Sequence, residues 1–182
     1  MQWPGYRKPE GFVVDVGLIM VGGITEAFGA TIGGLSWDPG KDVRSIPYDG
    51  KSSEQVGLQR TLKYDAKLSG KIKRGGPAFV MALEPGSSSD GSSGSDGNVV
   101  TLLDARTPWV EGDYLQDVFY IGRQEDQTIM YVRMPFAFVS KYKLQTKDND
   151  EAEWDVEFMP ALGRDETNSN KVAFTYGFVT ED

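Results

Sequence analysis

Two neighbouring stretches of alternating side chains, separated by the sequence KDND, constrain this chain more than any other feature. In 141–147 and again in 151–158, charged or amide side chains occupy the odd positions, and apolar side chains or Thr occupy the even ones. A period of two is typical of β-strands with one buried face. With a three-residue turn at 148–150, it predicts a hairpin with four facing pairs: Lys147–Glu151, Gln145–Glu153, Lys143–Asp155 and Lys141–Glu157. The charged face sets the register, because a slip of one residue would bury it.

A second alternating segment, Thr61–Lys73, predicts one strand of thirteen residues. Pro77 near its start and Pro85-Gly86 at its end predict a short helix in Gly76–Pro85. The glycines after Ile24 favour a loop over 24–30. Apolar runs predict seven further strands: Phe12–Val21, Thr31–Trp37, Val43–Tyr48, Asn98–Leu103, Leu115–Arg123, Gln127–Met134 and Lys171–Val179. The predicted fold is therefore mainly β, an antiparallel β-sandwich or open barrel with one short helix and long loops.

The segment EPGSSSDGSSGSDGN, residues 84–98, divides the chain near its middle. Each half alone is near the size at which a core without disulfide bonds or metal becomes marginal. We therefore interpret residues 1–182 as a single β domain, in which 84–98 is a flexible internal loop.

The composition excludes several kinds of chemistry. The chain of 182 residues contains no Cys and no His, so it cannot form a Ser-His-Asp triad, a thiolate nucleophile or an ordinary zinc site. The acidic sequence DNDEAEWDVE fails as a calcium loop, because Ala152 and Glu153 occupy positions that require a side-chain oxygen and glycine. We predict no catalytic, cofactor-binding or metal-binding residue and no enzymatic activity.

The N-terminal region carries no recognisable address. It lacks a signal pattern, and the apolar run Phe12–Ile24 is too short to span a bilayer and is interrupted by Asp15. We therefore expect a soluble protein with no membrane partner. Residues 1–11 contain Trp3, Tyr6 and two prolines without periodicity, which favours an arm that docks on a neighbouring molecule.

One long stretch, Phe28–Lys73, resembles the tail tube (major tail) proteins of long-tailed bacteriophages. The resemblance rests on a small-residue turn, a strand ending before a proline, a DG turn and a long alternating strand: Gly29-Ala30-Thr31, Gly33-Gly34, Trp37-Asp38-Pro39, Val43–Tyr48, Asp49-Gly50, Gly57-Leu58 and Thr61–Lys73. The order in Asp113–Leu162 is similar to the same family: strand, turn, strand, a short P-x-A link that begins at Pro135, and a hairpin that ends in an aromatic strand. Together these similarities span about Val13 to Leu162.

The resemblance implies a virion structural protein whose β-rich subunits form hexameric rings, which stack into a hollow tail tube for genome ejection. It further implies contacts with other tail proteins (tape measure, terminator and tip), a location in the virion tail, and assembly in the host cytoplasm. DNA would pass only as cargo that does not adhere, and the net charge of −8 is consistent with a wall that repels phosphate.

The same resemblance suggests two sets of candidate residues. The acidic strand supplies candidate lumen-facing residues, Glu151, Glu153, Asp155 and Glu157, although the alternative, that this face lies on the exterior, remains open. Candidate contacts between subunits or rings are the aromatic and apolar residues of the arm and of the loop Trp37–Gly57: Trp3, Tyr6, Trp37, Ile46 and Tyr48.

A different class of function is also compatible with the sequence. A monomeric carbohydrate- or cell-surface-binding β-sandwich would use Trp109 and Tyr114, in the sequence ARTPWVEGDYL, to stack on sugars. An Asp/Glu hydrolase is a third alternative.

Overall fold

A computed structural model describes residues 17–22, 28–46, 57–73, 77–84, 86–89, 100–102, 104, 106–123, 128–146, 152–163 and 171–179. In these ranges the chain forms eleven strands, one α-helix and one 3-10 helix (Glu111–Asp113). The α-helix, α1, covers Pro77–Leu83. The strands are β1 (Leu18–Met20), β2 (Ala30–Asp38), β3 (Lys41–Ser45), β4 (Gln59–Tyr64), β5 (Lys67–Lys73), β6 (Ser88–Ser89), β7 (Val100–Thr101), β8 (Leu115–Arg123), β9 (Ile129–Gln145), β10 (Glu153–Ala161) and β11 (Thr175–Val179). The predicted fold class is confirmed: the protein is mainly β, with a curled antiparallel sheet.

Seven strands form one sheet in the order β1-β8-β9-β10-β5-β2, and β11 also pairs with β9. Strands from both sides of segment 84–98 thus pair in the same sheet. The sheet curls so that its two end strands, β1 and β2, come together. Thr31 Oγ1 in β2 donates a hydrogen bond to the Gly17 carbonyl oxygen, directly before β1, at 2.9 Å. Near this contact, the Phe28 N–H donates to the Ile19 carbonyl oxygen at 2.7 Å.

Strand β9 is the centre of the sheet. It is 17 residues long and continues through Pro135, where the sequence predicted a link between two strands. That prediction was wrong because Pro135 lies where a missing N–H is tolerated. On one side, the opposite residue Asp117 has a left-handed conformation (φ 47°) and is skipped in the pairing with β8. On the other side, Pro135 falls between Arg133, which pairs with β11, and Phe136, which pairs with β10.

The predicted strand Thr61–Lys73 is in fact two strands. β5 lies in the large sheet between β10 and β2, whereas β4 pairs only with β3 among the described residues, in a separate two-stranded hairpin. Among the even positions, Ala66 (1% exposed), Leu68 and Ile72 are therefore buried, whereas Leu62 (48%), which carries the same alternation, is exposed. The alternation was identified correctly and the continuity was not.

The core lies inside the curl and is closed by α1. Phe79 of the helix packs against Phe28 and Trp154, with ring centroids 5.2 and 5.7 Å apart, respectively. The Tyr142 hydroxyl donates a hydrogen bond to the Glu84 carboxylate directly after the helix. This bond, aided by burial, raises the pKa of Tyr142 to about 12. The fully buried side chains with the largest volumes are Phe158, Ile19, Leu68, Ile72, Leu83, Met134, Val118 and Val132.

The other predicted elements agree with the structure to different degrees. Leu115–Arg123 matches β8 at both ends, and Gly76–Pro85 contains α1. The predicted turn at Gly33-Gly34 is instead an irregularity within β2, where the pairing with β5 shifts between Ile32 and Leu35. Four predicted strands are longer than the observed ones: Phe12–Val21, Val43–Tyr48, Asn98–Leu103 and Lys171–Val179. Their additional residues lie outside the described ranges or in irregular segments.

Gly40 joins the β3–β4 hairpin to the sheet, and we expect replacement of this residue by Ala to be costly. Its φ is +54°, and a Cβ atom at this position would clash with the Asp65 carbonyl oxygen. We expect Gly40→Ala to lower the free energy of unfolding by about 3 kcal/mol in urea denaturation, from backbone strain plus the clash.

Gly57→Ala is the matched control for this substitution. Gly57 also has a positive φ (+90°), but nothing described lies within 4 Å of where its Cβ would be. Its cost should be only about 1 kcal/mol, that of the left-handed conformation alone. Equal losses for the two variants would contradict the role assigned to the Gly40–Asp65 contact.

Candidate functional site

The charged hairpin predicted from the sequence is present in the predicted register. Gln145 pairs with Glu153, Lys143 with Asp155 and Lys141 with Glu157. The fourth predicted pair, Lys147–Glu151, lies outside the described residues. Three of the four candidate lumen-facing residues therefore lie together on the outer side of β10, opposite the core.

A second row of lysines, not foreseen from the sequence, lies on the other side of β10. β5 pairs with β10 so that Lys71 stands opposite Asp155. Lys71 Nζ is 3.2 Å from Glu153 Oε2, and Lys67 Nζ is 3.5 Å from Glu157 Oε1. We call this three-stranded surface the charged stripe and define it by seven residues: Lys67, Lys71, Lys141, Lys143, Glu153, Asp155 and Glu157. Its carboxylates occupy the central strand, and its lysines flank them on both sides.

The carboxylates of the charged stripe are held by local partners. Glu153 is buried (9% exposed) beside Lys71, and the Gln145 amide donates a hydrogen bond to Asp155. Ser140 Oγ donates to Glu157 Oε1 at 2.7 Å. This hydrogen bond and the nearby Lys67 ammonium lower the pKa of Glu157. Four lysines against three carboxylates give the stripe a formal charge of +1, so the acidic chain does not present an acidic surface here.

The neighbouring part of the same sheet has a different outer surface. Register pairs in β1, β8, β9 and β11 place apolar side chains on the side opposite the core. We define this apolar outer face by seven residues: Leu18, Met20, Phe119, Ile121, Ile129, Tyr131 and Val179. Because Val118, Tyr120 and Val132 of the same strands face the core, this half of the sheet is largely apolar on both sides. Two arginines share the outer side: Arg123 opposite Ile129, and Arg133, which lies over the Phe119 ring and pairs with Asp117.

Sequence reasoning missed the apolar outer face, although a signal was present. Residues 118–121 (VFYI) and 129–132 (IMYV) are continuous apolar runs without alternation. Such runs are typical of strands that are buried on both faces. Leu18 and Val179 are 43% and 49% exposed, so the described residues cover this face only in part.

The candidate contact residues have different surroundings. The Trp37 indole N–H donates to the Tyr176 hydroxyl at 2.7 Å, and its ring packs edge-on against Phe174 at 5.0 Å. Trp37 therefore joins β2 to the β11 region within one chain. Ile46 follows β3 and is exposed. Trp3, Tyr6, Tyr48 and Glu151 lie outside the described residues, as do residues 85 and 90–98 of the Ser/Gly segment.

The residues of the carbohydrate-binding alternative border a surface cavity. It measures about 510 Å³ and is lined by Trp109, Tyr114 and apolar residues of the 3-10 helix and β10 regions. Trp109 and Tyr114 pack edge-on, with ring planes at 76° and centroids 5.8 Å apart. Phe138 packs edge-on against both rings. The rings therefore form a small aromatic cluster and not a flat stacking surface.

Within the described ranges, no group of three or more acidic side chains could hold a metal ion. None of the helices in the described part of the chain is long and apolar enough to cross a membrane. Comparisons with known proteins give no family: no family model and no curated protein matches the chain.

The hydrogen bond to Glu157 leads to a prediction about acid stability. Because the pKa of Glu157 in the folded protein is lower than its usual value of 4.5, ionised Glu157 favours folding above about pH 4.5. This contribution is lost as the pH falls through the folded-state value. We expect Glu157→Gln to lower the free energy of unfolding at pH 7 by about 0.5 kcal/mol and to reduce the decrease in Tm between pH 5 and pH 3.

Glu111→Gln, at an exposed position outside the charged stripe, is the matched control for the thermal melts. It should leave the slope of Tm against pH like that of the original chain. An unchanged slope in Glu157→Gln would contradict the stabilising role of the ionised carboxylate.

Proposed function

We propose that this protein is a virion structural protein, the subunit of a phage tail tube, in which hexameric rings stack around a channel for DNA. The observation that carries the proposal is the apolar outer face. A sheet that is largely apolar on both sides is stabilised by cover on both sides, and within the described part of the chain the core covers only one. A homopolymer supplies the second cover from a neighbouring copy.

The β3–β4 hairpin supports the same proposal. Its two strands are exposed along most of their length, and Val43, Ile46 and Leu62 present apolar surface. A two-stranded hairpin is at best marginally stable in water on its own, so this one, which is tied to the β11 region by the Tyr64–Phe174 ring contact, gains further from contact with another surface. Contacts that are complete only after assembly suit a protein that must remain monomeric until a tail is initiated.

The resemblance to tail tube proteins supplies the kind of polymer. The segments that carry it include β2, the hairpin β3–β4, β5 and the long β8–β9–β10 unit. Of these, the hairpin and the strands β8 and β9 belong to the two surfaces described above. A contact between two different patches of identical subunits closes into a ring when its rotation divides a full turn, and rings of this kind can stack into a tube.

Electron microscopy of the purified chain tests the proposal. We expect six-fold rings or tubes by negative stain at high protein concentration. Leu18→Glu places a charge on the apolar outer face at a partly exposed position, so the subunit should still fold. Burying an unpaired carboxylate in a contact costs several kcal/mol, and the protein concentration needed for assembly should rise at least ~10-fold.

Leu102→Glu is the control for Leu18→Glu, because it makes the same change at an exposed apolar residue (56%) outside this face. It should assemble like the original chain. Compact monomers at every concentration of the original chain would contradict the proposed function. Normal tubes from Leu18→Glu would exclude the apolar outer face as a contact.

Deletion of residues 1–10 tests the arm separately. If the arm locks successive subunits, the shortened chain should give single rings or much shorter tubes, while its Tm as a monomer stays within a few degrees of that of the full chain. Tubes of normal length would exclude a role of the arm in assembly.

A carbohydrate-binding monomer is the second candidate, and the cavity beside Trp109 is the observation that favours it. Mostly apolar pockets with a few polar groups are common ligand sites. This candidate expects monomers, together with sugar binding that is lost in Trp109→Ala. Because Trp109 packs edge-on in an aromatic cluster, carbohydrate binding is the weaker of the two candidate functions.

A further inference from the structure

The charged stripe combines two rows of lysines with one row of carboxylates, and this arrangement determines how it meets a polyanion. Strands lie about 4.8 Å apart, so the lysine rows on β9 and β5 run about 10 Å from each other, with β10 between them. Four ammonium groups on one surface would ordinarily attract a phosphate backbone.

Each lysine of the charged stripe has a carboxylate of β10 within reach. The Lys71 ammonium lies 3.2 Å from the Glu153 carboxylate, and the Lys67 ammonium lies 3.5 Å from that of Glu157. Lys141 and Lys143 stand directly opposite Glu157 and Asp155 in the pairing of β9 with β10. The carboxylates are fixed in turn by Ser140, by Gln145 and by the burial of Glu153. The negative charges are therefore built-in counterions, and they cannot diffuse away.

We infer that the β10 carboxylates mask a latent polyanion-binding surface, so that the charged stripe does not capture duplex DNA as long as they are ionised. Affinity for DNA comes largely from the release of mobile counterions when lysines meet phosphates. A lysine whose counterion is covalently part of the neighbouring strand releases nothing. A phosphate must also displace the carboxylate and leave it close to another negative charge.

In a tail tube, masked lysines allow a wall that faces DNA to contain lysines without binding the DNA, and this consequence rests on the proposed function. The weak binding of DNA by the charged stripe does not rest on it, because the stripe belongs to the surface of a single subunit. The charged stripe can therefore be tested whether or not the chain forms tubes.

The decisive variant is Glu153→Gln/Asp155→Asn/Glu157→Gln, which removes the three carboxylates and keeps side chains of similar shape and hydrogen-bonding capacity. The probe is a fluorescein-labelled duplex of about 20 base pairs, followed by anisotropy at low salt. We expect the triple variant to bind the duplex at least ~10-fold more tightly than the original chain. Four lysines contacting phosphates predict a slope of log K against log salt between about −2 and −4.

The control variant must change the net charge equally at another place. Asp42→Asn/Asp104→Asn/Glu111→Gln removes three exposed carboxylates outside the charged stripe. It should bind DNA no better than the original chain. A second control adds Lys71→Gln and Lys143→Gln to the triple variant and should abolish the gained affinity, because it removes half of the lysines.

Glu153 is buried, so the triple variant could fail to fold, and circular dichroism and thermal melts must accompany the binding data. In that event, the double variant Asp155→Asn/Glu157→Gln, which changes only partly exposed residues, makes the same prediction with a smaller gain. Tight binding of DNA by the original chain would overturn the inference, as would a folded variant without increased affinity. An equal gain in the control variant would show that net charge alone is responsible and would also overturn it.

The two proposals fail in distinguishable ways. Increased DNA binding in the triple variant without any rings or tubes from the original chain would support the masked surface and refute the tail tube. Tubes without increased binding would support the tail tube and refute the masked surface.

Discussion

Backbone pairing along β9 is the constraint on which the rest of the structure depends. Its first half pairs with β8 on one edge and with β11 on the other, and its second half pairs with β10. β10 in turn holds β5, and β5 holds β2. The core-facing positions of β9 change from even (Val132, Met134) to odd (Ala137, Val139) at Pro135, and they return to even at Tyr142, beyond the bulge in the pairing with β10. The outer side of the sheet therefore carries the apolar outer face along the first part of β9 and the charged stripe along its last part, beyond the second change of phase.

The two outer surfaces suit different neighbours. Exposure of the apolar outer face to water is unfavourable, so this face is suited to contact with protein. The charged stripe is well solvated, and its charges compensate one another. A tube subunit requires both properties, because one side of it must adhere to other subunits and another side must not adhere to DNA. The proposed function follows from their presence on a single curled sheet, together with the resemblance of the strand pattern to tail tube proteins.

The features that the sequence predicted best are those set by near neighbours in the chain. The 141–158 hairpin has the predicted register because its alternation and its short connection are both local. The position of β5 beside β10 is a contact across about eighty residues, and nothing in either strand specifies its partner. The continuity of β9 was missed because Pro135 usually ends a strand, and only the irregular Asp117 opposite it and the change of partner strand make it tolerable.

The candidate site was predictable in part for the same reason. The three carboxylates of β10 that lie in the described ranges are where the alternation predicted them, whereas Lys67 and Lys71 joined them through a non-local pairing. The apolar outer face could have been inferred from the run VFYI in β8, which has no polar position to face water. Trp37 was assigned to contacts between subunits because it is an aromatic residue at the start of the loop Trp37–Gly57. Its partner Tyr176 is 139 residues away along the chain.

The unbroken course of β9 has a geometric consequence. The charged stripe and the apolar outer face share this strand, so the angle between the two surfaces is set by the twist of the sheet and by the two irregularities in its pairing. Adjacent strands rotate by roughly 20–25° relative to one another, and this rotation accumulates across β8, β9 and β10. When a neighbouring molecule covers one surface, the direction of the other is already determined. The curvature of any assembly is thus encoded in the twist of a single subunit.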